Sequence, residues 1–141
     1  MAFLPKINAS AVVITTLLVV GLCGRVVTST SNTTLGLYLC NTLTYQNSDP
    51  YRLSVDYILN DLLTVTANTQ GYNHYVASPC ANNIPKAYGH ETCNVLLSAT
   101  DCATCILAAY NNIRNLCPDR IGAQVHLQDC SMRYENYPFA E

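Results

Sequence analysis

Cys102-Ala103-Thr104-Cys105 sets two thiols three positions apart near the start of an expected helix, where the helix dipole lowers a thiol pKa and favours disulfide exchange. Thioredoxin-like exchange also needs a βαβ surround. This region reads instead as a short strand, a loop and a helix, so the two cysteines are read as structural staples. A zinc site can be drawn from Cys102, Cys105, Cys117, Cys130 and His126, but in an oxidising compartment disulfides are the expected fate of such thiols. Three histidines, His74, His90 and His126, accompany no GxSxG elbow and no HExxH pair, and each is read as a solvated surface residue. Cys80 beside a histidine would resemble a thiol hydrolase, yet no motif joins the two. The ten tyrosines, with no tryptophan, suit stacking on sugars, although core packing accounts for most of them more simply. No enzyme activity, cofactor or metal is expected.

The cysteines and the N-terminus fix the compartment. Lys6 is followed by an almost continuous apolar run over 10–24 and then by small residues. That run is shorter than the ~20 residues a membrane span needs, and a retained anchor is the less favoured alternative. Residues 1–29 are therefore read as a signal peptide cleaved between 24 and 31, and 30–36 as a flexible lead-in. Of eight cysteines, Cys23 leaves with the leader, so seven remain in a domain over 37–141. That density marks a disulfide framework supporting a small core in a secreted protein. Asn32-Thr33-Thr34 is an N-glycosylation sequon ahead of the domain. Seven basic residues against nine acidic ones give a formal charge of −2. So few positive charges cannot hold a phosphate backbone or an anionic lipid surface, which excludes nucleic-acid partners and, once the leader is gone, membranes.

The elements that must position these side chains follow from periodicity. Residues 37–41 read as an extended segment. Asn47-Ser48-Asp49-Pro50 supplies turn and cap residues, and Val55, Ile58, Leu59, Leu62 and Leu63 recur at helical spacing, predicting a helix over 51–65. A polar loop over 66–74, a weak strand over 75–78 and a strand over 86–93 come next. Ser98 and Asp101 have cap spacing for a second helix over 99–116, ended by Pro118. That helix buries Cys102, Cys105 or Ile106, Ala109 and Ile113. Residues 121–127 and 130–135 alternate with period two. Ala123, Val125, Leu127, Cys130, Met132 and Tyr134 form an apolar face, whereas Gly122, Gln124, His126, Ser131, Arg133 and Glu135 form a polar one. A turn at Gln128-Asp129 would set Gln124 across from Arg133 and Gly122 across from Glu135.

The spacing Cys93-x8-Cys102-x2-Cys105 is preceded by Ala87-Tyr88-Gly89 and followed by Ile121-Gly122-Ala123 and Asp129-Cys130. It resembles the plant ginkbilobin-homologous family, the stress-antifungal domain also known as domain of unknown function 26, over about 37–137. The resemblance implies an α+β fold in which two helices pack on an antiparallel sheet of about five strands. It further implies the disulfides Cys40–Cys117, Cys93–Cys102 and Cys105–Cys130. Cys80 then falls outside the family pattern, as an unpaired thiol or as the link of a disulfide-bonded homodimer.

The resemblance also implies a secreted, non-catalytic antifungal lectin of the plant apoplast. Ginkbilobin-type members bind mannose through an Asn after the first cysteine, an Arg after the Ile-Gly-Ala triplet and a Glu five residues after the last cysteine. Here these positions hold Asn41, Gln124 and Glu135. Gln in place of Arg removes a charge-assisted contact worth ~1.5–3 kcal/mol. Arg133, on the same polar face, is the candidate substitute. The other reading is an extracellular protein-interaction module without sugar binding.

Overall fold

The structure, a computed structural model, describes residues 30–81 and 83–141. The expected leader, with Lys6 and Cys23, lies outside the described residues. Among the described residues, two helices pack on one sheet whose strands are all antiparallel, in the order β1-β4-β5-β3-β2. The strands are β1 (Leu35–Cys40), β2 (Asn73–Ala77), β3 (Tyr88–Cys93), β4 (Ala123–Leu127) and β5 (Cys130–Glu135), and the helices are α1 (Tyr51–Val65) and α2 (Ala99–Leu116).

Both helices fall where their apolar spacing predicts. In α1 the buried stripe is Tyr51, Ser54, Val55, Ile58, Leu59 and Leu62, and the Tyr51 N–H donates to Asp49 Oδ1 at 2.9 Å at its start. In α2, Ser98 Oγ accepts from the Asp101 N–H at 3.0 Å. This satisfies one of the N–H groups that a helix start leaves without a partner. Cys102, Cys105, Ile106, Ala109 and Ile113 are buried along it. Arg114 donates to Asp56 Oδ1 at 2.9 Å and ties the two helices.

Both helices cover the apolar face of the sheet. Ile58, Leu62, Ile106, Ile113, Val125 and Met132 have essentially no exposure, and each such side chain contributes about 1.5–3 kcal/mol of burial. Tyr51 and Tyr134 bury their rings and still place their hydroxyls, donating to Ile121 O and Arg120 O at 2.8 Å each. The disulfides are Cys40–Cys117, Cys93–Cys102 and Cys105–Cys130, the pairs the resemblance implies. They tie the end of β1 to the end of α2, the end of β3 to the start of α2, and β5 to the middle of α2.

Some sequence expectations are corrected. The polar loop over 66–74 contains two short 3-10 turns, Thr66–Asn68 and Gln70–Tyr72. His74 belongs to β2, where it meets Asp61 Oδ1 at 2.6 Å. β3 begins at Tyr88 rather than at 86, and β1 reaches back to Leu35. His90 is not a solvated residue. It is 4% exposed, roofed by the Tyr75 ring at 3.8 Å between centroids.

Candidate functional site

The polar face of the sheet, opposite the helices, carries the candidate residues. Antiparallel pairing brings Leu39 beside Gln124, Gln124 beside Arg133, and Arg133 beside His90. This is the Gln124–Arg133 register that a two-residue turn at Gln128-Asp129 demands. The next row holds Glu135, paired with Tyr88. Gly122 precedes β4, and its carbonyl accepts the Asn41 N–H at 2.9 Å, which fixes Asn41 at the rim. A cleft of about 250 Å3 results, lined by Leu39, Asn41, Gly122, Gln124, Arg133, Glu135 and Tyr137 among others. All four sugar-site candidates therefore meet in one place.

Gly122 makes room for the carboxylate. A Cβ built there would lie 2.1 Å from Glu135 Oε2 and 3.2 Å from Tyr134 O, so only glycine admits Glu135 in this position. Asn41 Oδ1 accepts the Leu43 N–H at 2.9 Å, closing a local turn and leaving the side-chain nitrogen to face a ligand. The Gln124 side-chain nitrogen contacts His126 Nε2, which leaves its Oε1 as the acceptor on offer.

Arg133 is the most heavily engaged residue. Nε donates to Glu135 Oε1 at 3.1 Å, Nη1 to Glu141 Oε1 at 3.1 Å and Nη2 to Tyr137 Oη at 3.3 Å. The guanidinium also lies over the Phe139 ring, 4.3 Å from its centroid. Burial works against its charge, but the bonds to Glu141 and Glu135 outweigh that and raise its pKa further. Three of five N–H groups are thus committed, leaving two for a ligand. Glu141 binds His90 Nδ1 as well, at 2.8 Å. Burial alone would raise the Glu141 carboxyl, yet its bonds with His90 and Arg133 prevail and lower it.

The remaining candidates sit elsewhere. Cys80 is a free, exposed thiol in the loop after β2. Asn32 lies at the β4–β5 turn, its N–H donating to Asp129 Oδ2 at 2.6 Å. Cys102 and Cys105 are bonded to different partners, so the exchange-active pair does not form, and the thiols needed for zinc are likewise consumed. Tyr137 and Glu141 had no signal in the sequence, because residues 136–141 follow no periodic pattern. Larger depressions, about 560 Å3 beside Asn47, Arg52 and Ile84 and about 520 Å3 beside Tyr51, Lys86 and Tyr137, contain none of Asn41, Gln124, Arg133 and Glu135.

The chain is similar to known proteins. The salt stress response/antifungal family profile matches residues 26–137. The chain is 32% identical over 114 residues to the antifungal protein ginkbilobin-2 of Ginkgo biloba, covering 81% of this chain and 84% of the relative. It is 32% identical to an antifungal ginkbilobin-like protein of Picea abies, covering 77% and 98%. Plasmodesmata-located protein 5 of Arabidopsis thaliana is 27% identical over 72% of this chain but only 34% of its own length. Among solved structures, the tandem DUF26 ectodomain of the Arabidopsis cysteine-rich receptor-like protein PDLP5 superposes with a TM-score of 0.69 at 24% identity. The match covers 75% of this chain and 51% of that one, so the present chain spans about half of the tandem ectodomain.

Proposed function

The chain belongs to the salt stress response/antifungal family, and from that premise we propose that it is a secreted, non-catalytic defence lectin that binds mannose-type glycans in the Asn41–Gln124–Arg133–Glu135 cleft. The observation that carries this reading is the convergence of those four residues on one 250 Å3 cleft. A neutral polyol needs mixed donors and acceptors at close range, not net charge. The cleft offers a donor at Asn41, an acceptor at Gln124, the Glu135 carboxylate for neighbouring hydroxyls, and two spare N–H groups of Arg133. Leu39 and Tyr137 supply apolar surface for the C–H face of a sugar ring. Arg133 enters from β5, one strand over from Gln124, and takes the place of the arginine that ginkbilobin-type members carry at that β4 position.

Three disulfides support the extracellular assignment, because such bonds persist in oxidising compartments. The apoplast, the antifungal role, the cleaved leader and a glycan at Asn32 belong to the same proposal. Among the described residues no helix is long and apolar enough to cross a membrane.

A glycan array with the purified secreted protein, alongside Asn41→Ala and Glu135→Ala, tests the reading. Retention on mannose-terminated glycans that both substitutions abolish supports it. An array without mannose-type ligands, or one indifferent to both substitutions, rejects it. A second reading, an extracellular protein-interaction module, is favoured by one observation: the exposed leucines of β1. Binding to a protein ligand that survives Asn41→Ala and Glu135→Ala would select it.

A further inference from the structure

Strand β1 is an edge of the sheet. Its sequence is LGLYLC, and Leu35, Leu37, Tyr38 and Leu39 are 39%, 49%, 47% and 55% exposed. An edge strand presents unpaired backbone N–H and C=O groups that template a further strand, and proteins ordinarily blunt it with charge, proline or a cover. Among the described residues β1 has none of these: from residue 26 to residue 48 the sequence contains no charged residue and no proline, and the one irregularity is a register shift between Leu35 and Leu37 that leaves 37–40 regularly paired. The opposite edge strand, β2, differs in carrying ionisable and remote contacts. There His74 pairs with Asp61, and Tyr75 Oη accepts the Glu141 N–H at 3.0 Å.

We propose that β1 is the seam of a non-covalent homodimer, in which it pairs antiparallel with β1 of a second copy of this chain to form one continuous sheet. Three features select that occupant. An antiparallel pair of identical strands is isologous, so β1 has to complement only itself. Its uncharged length lets two copies meet without the repulsion that like charges directly opposite would impose, and it offers nothing to attract a charged partner. Apolar side chains stand on both faces. Leu37 and Leu39 share the outer face with His126 and Gln124, and Tyr38 shares the helix face with Val125, so pairing covers leucine on one side and tyrosine on the other.

The two-fold axis of such a pair stands normal to the sheet, so both candidate clefts open on the same face. Leu39 lines the cleft from one side of the seam. Two clefts side by side suit a repeating or branched glycan, whose second arm binds intramolecularly once the first is held. That consequence rests on the lectin reading; the dimer does not. A Cys80-linked dimer would use a different surface, since Cys80 follows the strand at the other edge.

Sedimentation velocity of the purified, sugar-free protein from about 1 µM to about 200 µM tests the seam. The native protein and Cys80→Ser sediment as dimers, whereas Leu37→Lys/Leu39→Lys remains monomeric with an unchanged far-UV spectrum. Val95→Lys/Leu96→Lys, which alters exposed apolar residues of a loop, remains dimeric. Hydrogen exchange in the native protein gives a readout that needs no variant: the amides of 35–40 gain protection as concentration rises. A native protein that is monomeric throughout overturns the proposal. So does a dimer that survives both lysines, one that is lost in Cys80→Ser, or exchange at 35–40 that ignores concentration. Because no sugar is present, none of these outcomes bears on glycan binding.

Discussion

Glu91 of β3 lies on the helix-facing side of the sheet with no solvent exposure. Oε2 is 3.3 Å from Thr66 Oγ1, and Oε1 has no partner among the described residues. Thr66 Oγ1 itself donates to Leu62 O at 2.8 Å. A neutral carboxyl fits this chain, its O–H donating to Thr66 Oγ1. Burial pushes the carboxyl well above its usual value; a Thr66 hydroxyl turned to donate to the carboxylate would lower it, but burial is the larger effect. Between the unfolded glutamate value and the raised folded one, folding therefore takes up a proton that the unfolded chain lacks. With its folded pKa raised, Glu91 is least costly below the unfolded glutamate value of about 4.3. Stability then falls by about 1.4 kcal/mol per pH unit as pH rises through the window up to the folded pKa.

Glu91→Gln removes the titration and keeps the donor to Thr66 Oγ1. Its advantage over the native protein is small below pH 4, grows by about 1.4 kcal/mol per pH unit above it, and levels off at the folded pKa. Guanidinium unfolding of both proteins, followed by circular dichroism between pH 3.5 and pH 8, isolates this difference, because the other titrations cancel. Parallel stability curves, or an advantage that shrinks as pH rises, would refute the account of Glu91 as a buried neutral acid.

Loop length predicts an order among the disulfides. Loss of Cys40–Cys117, which spans 77 residues, costs about 4.5 kcal/mol in the chain-entropy model, against about 2.6 kcal/mol for the nine-residue span of Cys93–Cys102; paired Cys→Ser variants in chemical denaturation check it. Gly89→Ala places a Cβ 2.9 Å from Leu62 Cδ1 and 3.3 Å from Val76 Cγ1, and this overpacking costs about 1–3 kcal/mol in the same assay. Gly122→Ala drives a Cβ into Glu135 Oε2; it expels the carboxylate from the cleft and abolishes retention on a mannan column while the thermal unfolding transition stays cooperative.

The helices and the β4–β5 hairpin were legible because each is governed by a local rule. Val55, Ile58, Leu59 and Leu62 recur at helical spacing, Ser98 caps α2, and Ala123, Val125 and Leu127 alternate with Gln124 and His126. The register that sets Gln124 opposite Arg133 followed from that alternation and a two-residue turn. Glu91 was not legible. Period two places it on the inner face with Gly89 and Cys93, but nothing in the sequence announces a carboxyl that the core keeps neutral. His90 was misread because its cover, Tyr75 and Glu141, comes from remote segments. For the same reason the engagement of Arg133 by Tyr137 and Glu141 was invisible: a chain end folded back onto a sheet leaves no periodicity. Cysteine spacing pointed to the family, and the disulfides came from that resemblance, not from spacing.

Titration of the isotopically labelled protein with mannose and then mannan, followed by amide and side-chain NMR shifts, tests the central claim most directly. The account predicts saturable shifts at Asn41, Gln124, Arg133 and Glu135 in the native protein, and their loss in Glu135→Gln. A native protein whose cleft signals stay fixed through the titration, while its spectrum shows an intact fold, would contradict it.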